Sequence, residues 1–286
     1  MTAPDPSQIT PPIIGVFDSG FGGLTVLRAL LHRLPQASFV FLGDTARLPY
    51  GSKSRRTIAR YAAQSAQFLV NEQGAEFLVI ACNTASALAL DAIKEAVPVP
   101  VLGVIEPGAA AARAASQSGD VLVIATNATV QSHAYTAACL AQGLRAFEKA
   151  CPLLVPLVEE GWTGHPVTAE VIRIYLDELL TASRTAGFSA DTLVLGCTHY
   201  PLLRPLIEQV IAHDAPAGMQ VIDSAESTAE AAARLFNGRI APSASSSSVV
   251  PEIRCFATDS VDKFERLGSR FLGQPVGQVQ LVDLGG

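Results

Sequence analysis

The sequence predicts an α/β protein with largely parallel sheets, in which two cysteine-bearing segments repeat one plan. Three observations carry that prediction. Short apolar runs alternate with longer amphipathic stretches along most of the chain, the pattern of strand–helix–strand units. The runs are unbroken by polar alternation, as expected of parallel strands covered on both faces. Two segments, LVIACNTAS (Leu78–Ser86) and LVLGCTHYP (Leu193–Pro201), share one plan: a strand, a small residue, a cysteine, a threonine with a polar neighbour, then a new helix. Two matched half-molecules would bring these segments face to face across a pseudo-two-fold axis.

The strands expected in chain order are Ile13–Phe17, Phe39–Leu42, Phe77–Ala81, Val101–Val104, Val121–Ala125, Leu153–Leu157, Leu193–Leu195, Val221–Ile222 and Ile253–Ala257. Helical periodicity lies between them at Leu24–Leu34, Thr57–Gln73, Ala85–Ala96, Val130–Leu144, Val167–Ala186 and Leu202–His213. Residues 1–12 are Pro-rich and polar. Residues 242–248, PSASSSS, read as a low-complexity linker after a helix ending near Gly238.

Composition narrows the function. The chain has 286 residues, 49% hydrophobic and 16% charged, enough apolar material for a large core. The formal net charge is −6, and no basic stripe points to nucleic acid. The N-terminus has no positive segment followed by an apolar one, so it is not a secretory signal. No run approaches the roughly 18 apolar residues of a membrane span. A cytoplasmic, reducing setting follows, with Cys82, Cys139, Cys151, Cys197 and Cys255 as thiols. No spacing resembles a zinc site.

In open α/β sheets ligands bind beyond the carboxyl ends of strands, where Cys82 and Cys197 fall. Buried core cysteine is the common fate of a free thiol. Here, however, the apolar runs stop at the cysteine and turn to Asn83-Thr84 and to Thr198-His199. A helix starting behind each thiol should lower its pKa from about 8.5 toward neutrality. Cys139, Cys151 and Cys255 have no such setting.

GVFDSGFGGL (Gly15–Leu24) carries a strand into Asp18-Ser19-Gly20. It is not a phosphate loop, because Thr25 stands where the third glycine belongs and no G-K-[ST] follows. Asp18 suits an ammonium group or a partner base; capping of the next helix by Asp18 or Ser19 is the plainer role. GDTARLPYGSKS (Gly43–Ser54) is a loop in which Tyr50 and Gly51 offer a hydroxyl and a bare N–H. In ATNATVQSHAY (Ala125–Tyr135), Thr126, Asn127 and Thr129 bind a carboxylate at a helix start or merely cap it. Glu159, in LLVPLVEEG, follows the expected strand Leu153–Leu157.

Pyridoxal chemistry needs a Schiff-base lysine, and none of Lys53, Lys94, Lys149 and Lys263 ends a buried strand. A thiol hydrolase would leave the second matched cysteine idle. Two opposed thiols do suit inversion at carbon: one thiolate removes a proton and the thiol on the opposite face returns one. Hydrogen-bond donors at the strand ends would stabilise the carbanion.

FDSGFGGL, GDTARLPYGSKS, ACNTAS, ATxATVxSxxY and LGCTHYPLL, in this order and spacing, resemble the glutamate racemases, from about Ile14 to at least Ile222, with FATDS at Phe256–Ser260 extending the likeness. The resemblance implies cofactor-independent, metal-independent conversion of L- to D-glutamate for peptidoglycan, by a cytoplasmic homodimer with no nucleic-acid or membrane partner. It implies two similar, pseudo-two-fold related α/β domains on mainly parallel sheets with the site in the cleft between them, at 1–107 plus 214–286 and, inserted, 108–213. Cys82 and Cys197 would be the acid/base pair, with Asp18 assisting Cys82, and His199 and Glu159 assisting Cys197. Asp18, Ser19, Tyr50, Gly51, Asn83, Thr84, Thr198 and His199 would bind glutamate. An aspartate or related racemase, or a gyrase-binding regulatory role, are the alternatives.

Overall fold

The computed structural model describes residues 11–214, 218–236 and 252–285. The expectations for most of the N-terminal tail, for the 242–248 linker and for a helix end near Gly238 lie outside the described residues. The first half runs β1 (Ile13–Asp18), α1 (Leu24–Arg33), β2 (Ser38–Gly43), α2 (Arg55–Gln67), β3 (Phe77–Ile80), α3 (Asn83–Leu88), α4 (Leu90–Ala96) and β4 (Val101–Gly103). Helix α5 (Ile105–Ala115) crosses to the second half. There follow β5 (Asp120–Ala125), α6 (Asn127–Ser132), α7 (Ala134–Ala141), β6 (Arg145–Ala150), α8 (Leu154–Glu159), α9 (Pro166–Thr185), β7 (Thr192–Gly196), α10 (Arg204–Asp214) and β8 (Gln220–Asp223). The chain returns through α11 (Ser224–Phe236), β9 (Ile253–Ala257), α12 (Val261–Leu272) and β10 (Val279–Leu281).

Two sheets result, ordered β10-β9-β2-β1-β3-β4 and β6-β5-β7-β8. Every pairing in both is parallel. Strands β2-β1-β3-β4 and β6-β5-β7-β8 follow the same order, so β3 and β7 are equivalent positions. This is the repeat that the two cysteine segments foreshadow. The central strands β1, β3, β5 and β7 are buried almost throughout, as a parallel sheet covered by helices requires.

One expectation needs correction. The apolar run Leu153–Leu157 is not a strand; it opens α8, whose Pro156 sits in the first helical turn, where proline is tolerated. A five-residue apolar run fits either element by periodicity alone. The strand there is β6, whose sequence RAFEKA is half-polar because it forms the sheet edge and is only partly buried. Strand β8 pairs with β7 in the second sheet. Helix α11 follows it, and the Phe236 ring meets Phe77 of β3 at 4.7 Å.

Helix α11 packs on both α1 and α5 and so joins the halves. Most of the buried apolar side chains form one core that reaches from β1 and α1 through α5 to β5 and β7. A second core lies on the other face of the first sheet, around Phe17, Leu78 and Ile80. Among the described residues no helix is long and apolar enough to cross a membrane.

Candidate active site

The carboxyl ends of β1, β3, β5 and β7 converge at the junction of the halves. Asp18 ends β1 and is buried. Its Oδ2 accepts from Gly20 N–H at 2.9 Å, while Oδ1 is buried without a hydrogen-bond partner. Neither Asp18 nor Ser19 caps α1, whose N-cap is Gly23 with no side-chain cap; capping is therefore not their role. Burial raises the Asp18 pKa against the attraction of His199 and the Gly20 N–H.

Cys82 is only 5% exposed and stands as N-cap of α3, its Sγ accepting from Ala85 N–H at 3.4 Å and lying 3.4 Å from Ser19 Oγ. Cys197, 6% exposed, follows β7 with His199 Nδ1 4.0 Å from its Sγ. The expected lowering of both thiols toward neutrality is contradicted. Burial pushes Cys82 up to about 11, with the Asp18 carboxylate adding to it, although Ser19 and Ala85 oppose. Cys197 is raised as well, by burial first, against the N–H of His199 and with the charges of Cys82 and Asp18 adding to it. Desolvation of the thiolate outweighs the few donors at a helix start.

High pKa does not single out this pair, because burial also lifts Cys139 to about 11, and Cys151 and Cys255 to about 12. The surroundings do. Cys255 feels burial alone, whereas Cys82 and Cys197 have polar groups set against them and lie within each other's electrostatic reach.

Asn83 and Thr84 extend from Cys82 toward the second half. Asn83 Oδ1 accepts from Tyr135 of α7 at 2.7 Å, which leaves its Nδ2 buried and without a partner. Thr84 Oγ1 lies 3.0 Å from Thr126 Oγ1 and 3.3 Å from Thr129 Oγ1, and the latter two are 3.0 Å apart. Three hydroxyls thus bridge the halves, and Thr126 also caps α6 through Thr129 N–H. Gly51 packs against Thr126 as well, for a Cβ added there would be 3.4 Å from Thr126 Cβ.

His199 is held on several sides. Its Nε2 is 3.4 Å from Glu159 Oε1, its Nδ1 is 3.5 Å from Thr198 Oγ1, and its ring lies against Phe21 and Phe271. Glu159 does not follow a strand as expected; it ends helix α8. Lys263 Nζ contacts its other oxygen at 3.0 Å. His199 and Lys263 together lower the Glu159 pKa in spite of burial.

Tyr50 is present at the site but its hydroxyl is committed, donating to Asp44 Oδ2 at 2.5 Å. Thr258 donates to Asp44 Oδ1 at 3.0 Å, so Asp44, fully buried, ties the 44–51 loop to the end of β9. Neither Asp44 nor Tyr135 announces its role in the sequence; a carboxylate just past an apolar strand is the one signal for the former. Tyr50→Phe leaves the buried Asp44 short of a donor and should cost about 1–3 kcal/mol, read by urea unfolding.

A family profile described as Asp/Glu/hydantoin racemase matches residues 15–232. The chain is 53% identical to a glutamate racemase of Koribacter versatilis, covering 96% of this chain and 98% of that one. It is 45% identical to one of Geobacter metallireducens, over 95% and 96%. Among solved structures, a Bacillus anthracis glutamate racemase superposes with a TM-score of 0.83 at 36% identity, covering 96% of this chain and 99% of that one. The Francisella tularensis enzyme, solved with D-glutamate, gives 0.82 at 33%, over 96% and 98%. The chain belongs to the aspartate/glutamate/hydantoin racemase family, in its glutamate racemase branch.

Proposed function

We propose that Cys82 and Cys197 racemise glutamate from opposite faces, without cofactor or metal. The observation that carries this reading is the equivalence of the two positions: each thiol lies within two residues after the corresponding strand, β3 or β7, of a repeated sheet order. Asp18, at the end of β1, and Asn83, next to Cys82, carry a buried unpaired acceptor, Oδ1, and a buried unpaired donor, Nδ2. Asp18 suits the substrate ammonium, while Asn83, Thr84 and Thr198 donate to a carboxylate whose charge grows as the proton leaves. Ser19, Tyr50, Gly51, Thr126 and Thr129 complete the binding surface.

One thiolate takes the Cα proton, the electron pair is held as an enediolate on the α-carboxylate, and the opposite thiol delivers its proton to the other face. The carbon is inverted and the two cysteines have exchanged protonation states. Asp18 assists Cys82; His199, backed by Glu159, assists Cys197. The substrate ammonium supplies positive charge that both raised thiols lack, and so favours the thiolate. The enzyme acts in the cytoplasm as a homodimer, and its D-glutamate enters peptidoglycan. As two domains, the chain divides near 105 and again after Asp223.

Dialysed, chelator-treated protein under reducing conditions should interconvert the enantiomers, followed by circular dichroism, and should turn over aspartate far more slowly. No turnover of glutamate would end this reading. Because Cys82 is pushed up to about 11, the thiolate fraction of the free enzyme grows as pH rises. Thus kcat/KM should climb from about pH 7 to about pH 9; a flat profile there contradicts a raised thiol.

A further inference from the structure

The halves also meet behind the site, through α12. Lys263 and Arg270 are two helical turns apart on that helix and share a face. Arg270 lies on the turn that ends α8, close against Gly161, and Lys263 Nζ is 3.0 Å from Glu159 Oε2. Cations thus gather at the negative end of α8. Glu159 Oε1 faces His199 Nε2 at 3.4 Å, and His199 Nδ1 lies 4.0 Å from Cys197 Sγ. Lys263 also stands 5.6 Å from the centre of the Phe21 ring, and that ring packs on His199. It therefore reaches the imidazole by two routes, one through a carboxylate and one through a ring.

We propose that Lys263 is a positioning residue for the Cys197 half of the reaction, holding Glu159 and Phe21 so that His199 keeps its place beside the thiol. The proposal rests on the two-cysteine reading. Lys263 touches neither cysteine, and it comes from the half opposite to Glu159, His199 and Cys197, so it acts only while the halves are together. The charged and titratable groups around Glu159 are Lys263 and Arg270 from α12, His199 from the loop after β7, and the adjacent Glu160.

The test compares full-length Lys263→Met and Lys263→Arg with wild type. Lys263→Met should lower kcat about tenfold, the scale seen when groups that orient a functional imidazole are removed. KM should stay within about twofold, because the lysine does not meet substrate. The equilibrium constant between enantiomers is one, so kcat/KM must fall equally in both directions. The acidic limb of kcat should move to higher pH, since Glu159 without its cation holds a proton more tightly, and Lys263→Arg should restore both features. A second readout needs no turnover: alkylation of Cys197 by iodoacetamide, followed by peptide mass spectrometry, should slow in Lys263→Met and recover in Lys263→Arg. Wild-type kcat, pH profile and alkylation rate in Lys263→Met would overturn the proposal, as would a loss that arginine does not restore. If wild type turns over no glutamate yet alkylation still slows in Lys263→Met, the glutamate reading fails and the positioning role stands.

Discussion

Cys82→Ser and Cys197→Ser, made separately, should each lower racemisation at least about 10³-fold, within the range that acid–base groups contribute. A serine hydroxyl is far too weakly acidic to replace a thiol as base. One base alone cannot invert carbon, because it removes and returns the proton on the same face. Each single variant should nevertheless exchange the Cα proton of one enantiomer with solvent deuterium and retain its configuration, and the two variants should prefer opposite enantiomers. Proton NMR in deuterium oxide reads this directly. Full-rate racemisation by either variant would refute the two-base mechanism. Cys255→Ala is the control: its thiol is buried in β9 with no polar group set against it, so stability should fall while turnover per folded molecule stays.

How far the sequence carries this picture depends on the range of the interaction concerned. Strand ends are local: an apolar run that stops at Cys82 or Cys197 and turns polar is visible within nine residues, and the repeat of that pattern predicts the repeat of the sheets. Edge strand β6 escapes because its outer side is partly exposed, and its sequence therefore loses the apolar run by which the inner strands announce themselves. The run that does stand out nearby becomes α8, and Glu159 reaches His199 from a helix end rather than a strand end. Partners distant in sequence are silent. Tyr135 meets Asn83 across 52 positions, and Lys263 meets Glu159 across 104. The acidity of the thiols is hidden from the sequence for the same reason. A helix start is a local feature that lowers a thiol pKa, whereas burial by both halves is a property of the assembled site, and here burial is the larger effect.

Gly22→Ala should lower racemisation about 10²-fold, the cost of moving catalytic groups by roughly an ångström. Gly22 lies on the loop between β1 and α1, and it packs against the loop that follows Cys197. A Cβ there would fall 2.6 Å from His199 Nδ1 and 2.8 Å from its Cε1, and closer still to Thr198 Oγ1. None of these neighbours can yield cheaply. Thr198 is short and β-branched, and its carbonyl is 3.3 Å from the Thr25 hydroxyl. The His199 ring is flanked by Phe21 and Phe271 and faces Glu159. The backbone itself does not object, because Gly22 is not among the glycines with positive φ, so the substitution isolates steric contact. The loop must shift, and the imidazole beside Cys197 shifts with it. Overpacking should cost about 1–3 kcal/mol of stability, measurable by urea unfolding, and a folded fraction above that threshold should still be nearly inactive. Gly164→Ala provides the comparison, since a Cβ there meets nothing within 4 Å and should change neither rate nor stability. Wild-type kcat in Gly22→Ala would mean that the Cys197 loop tolerates displacement, and the close fit between the two halves would then have no part in catalysis.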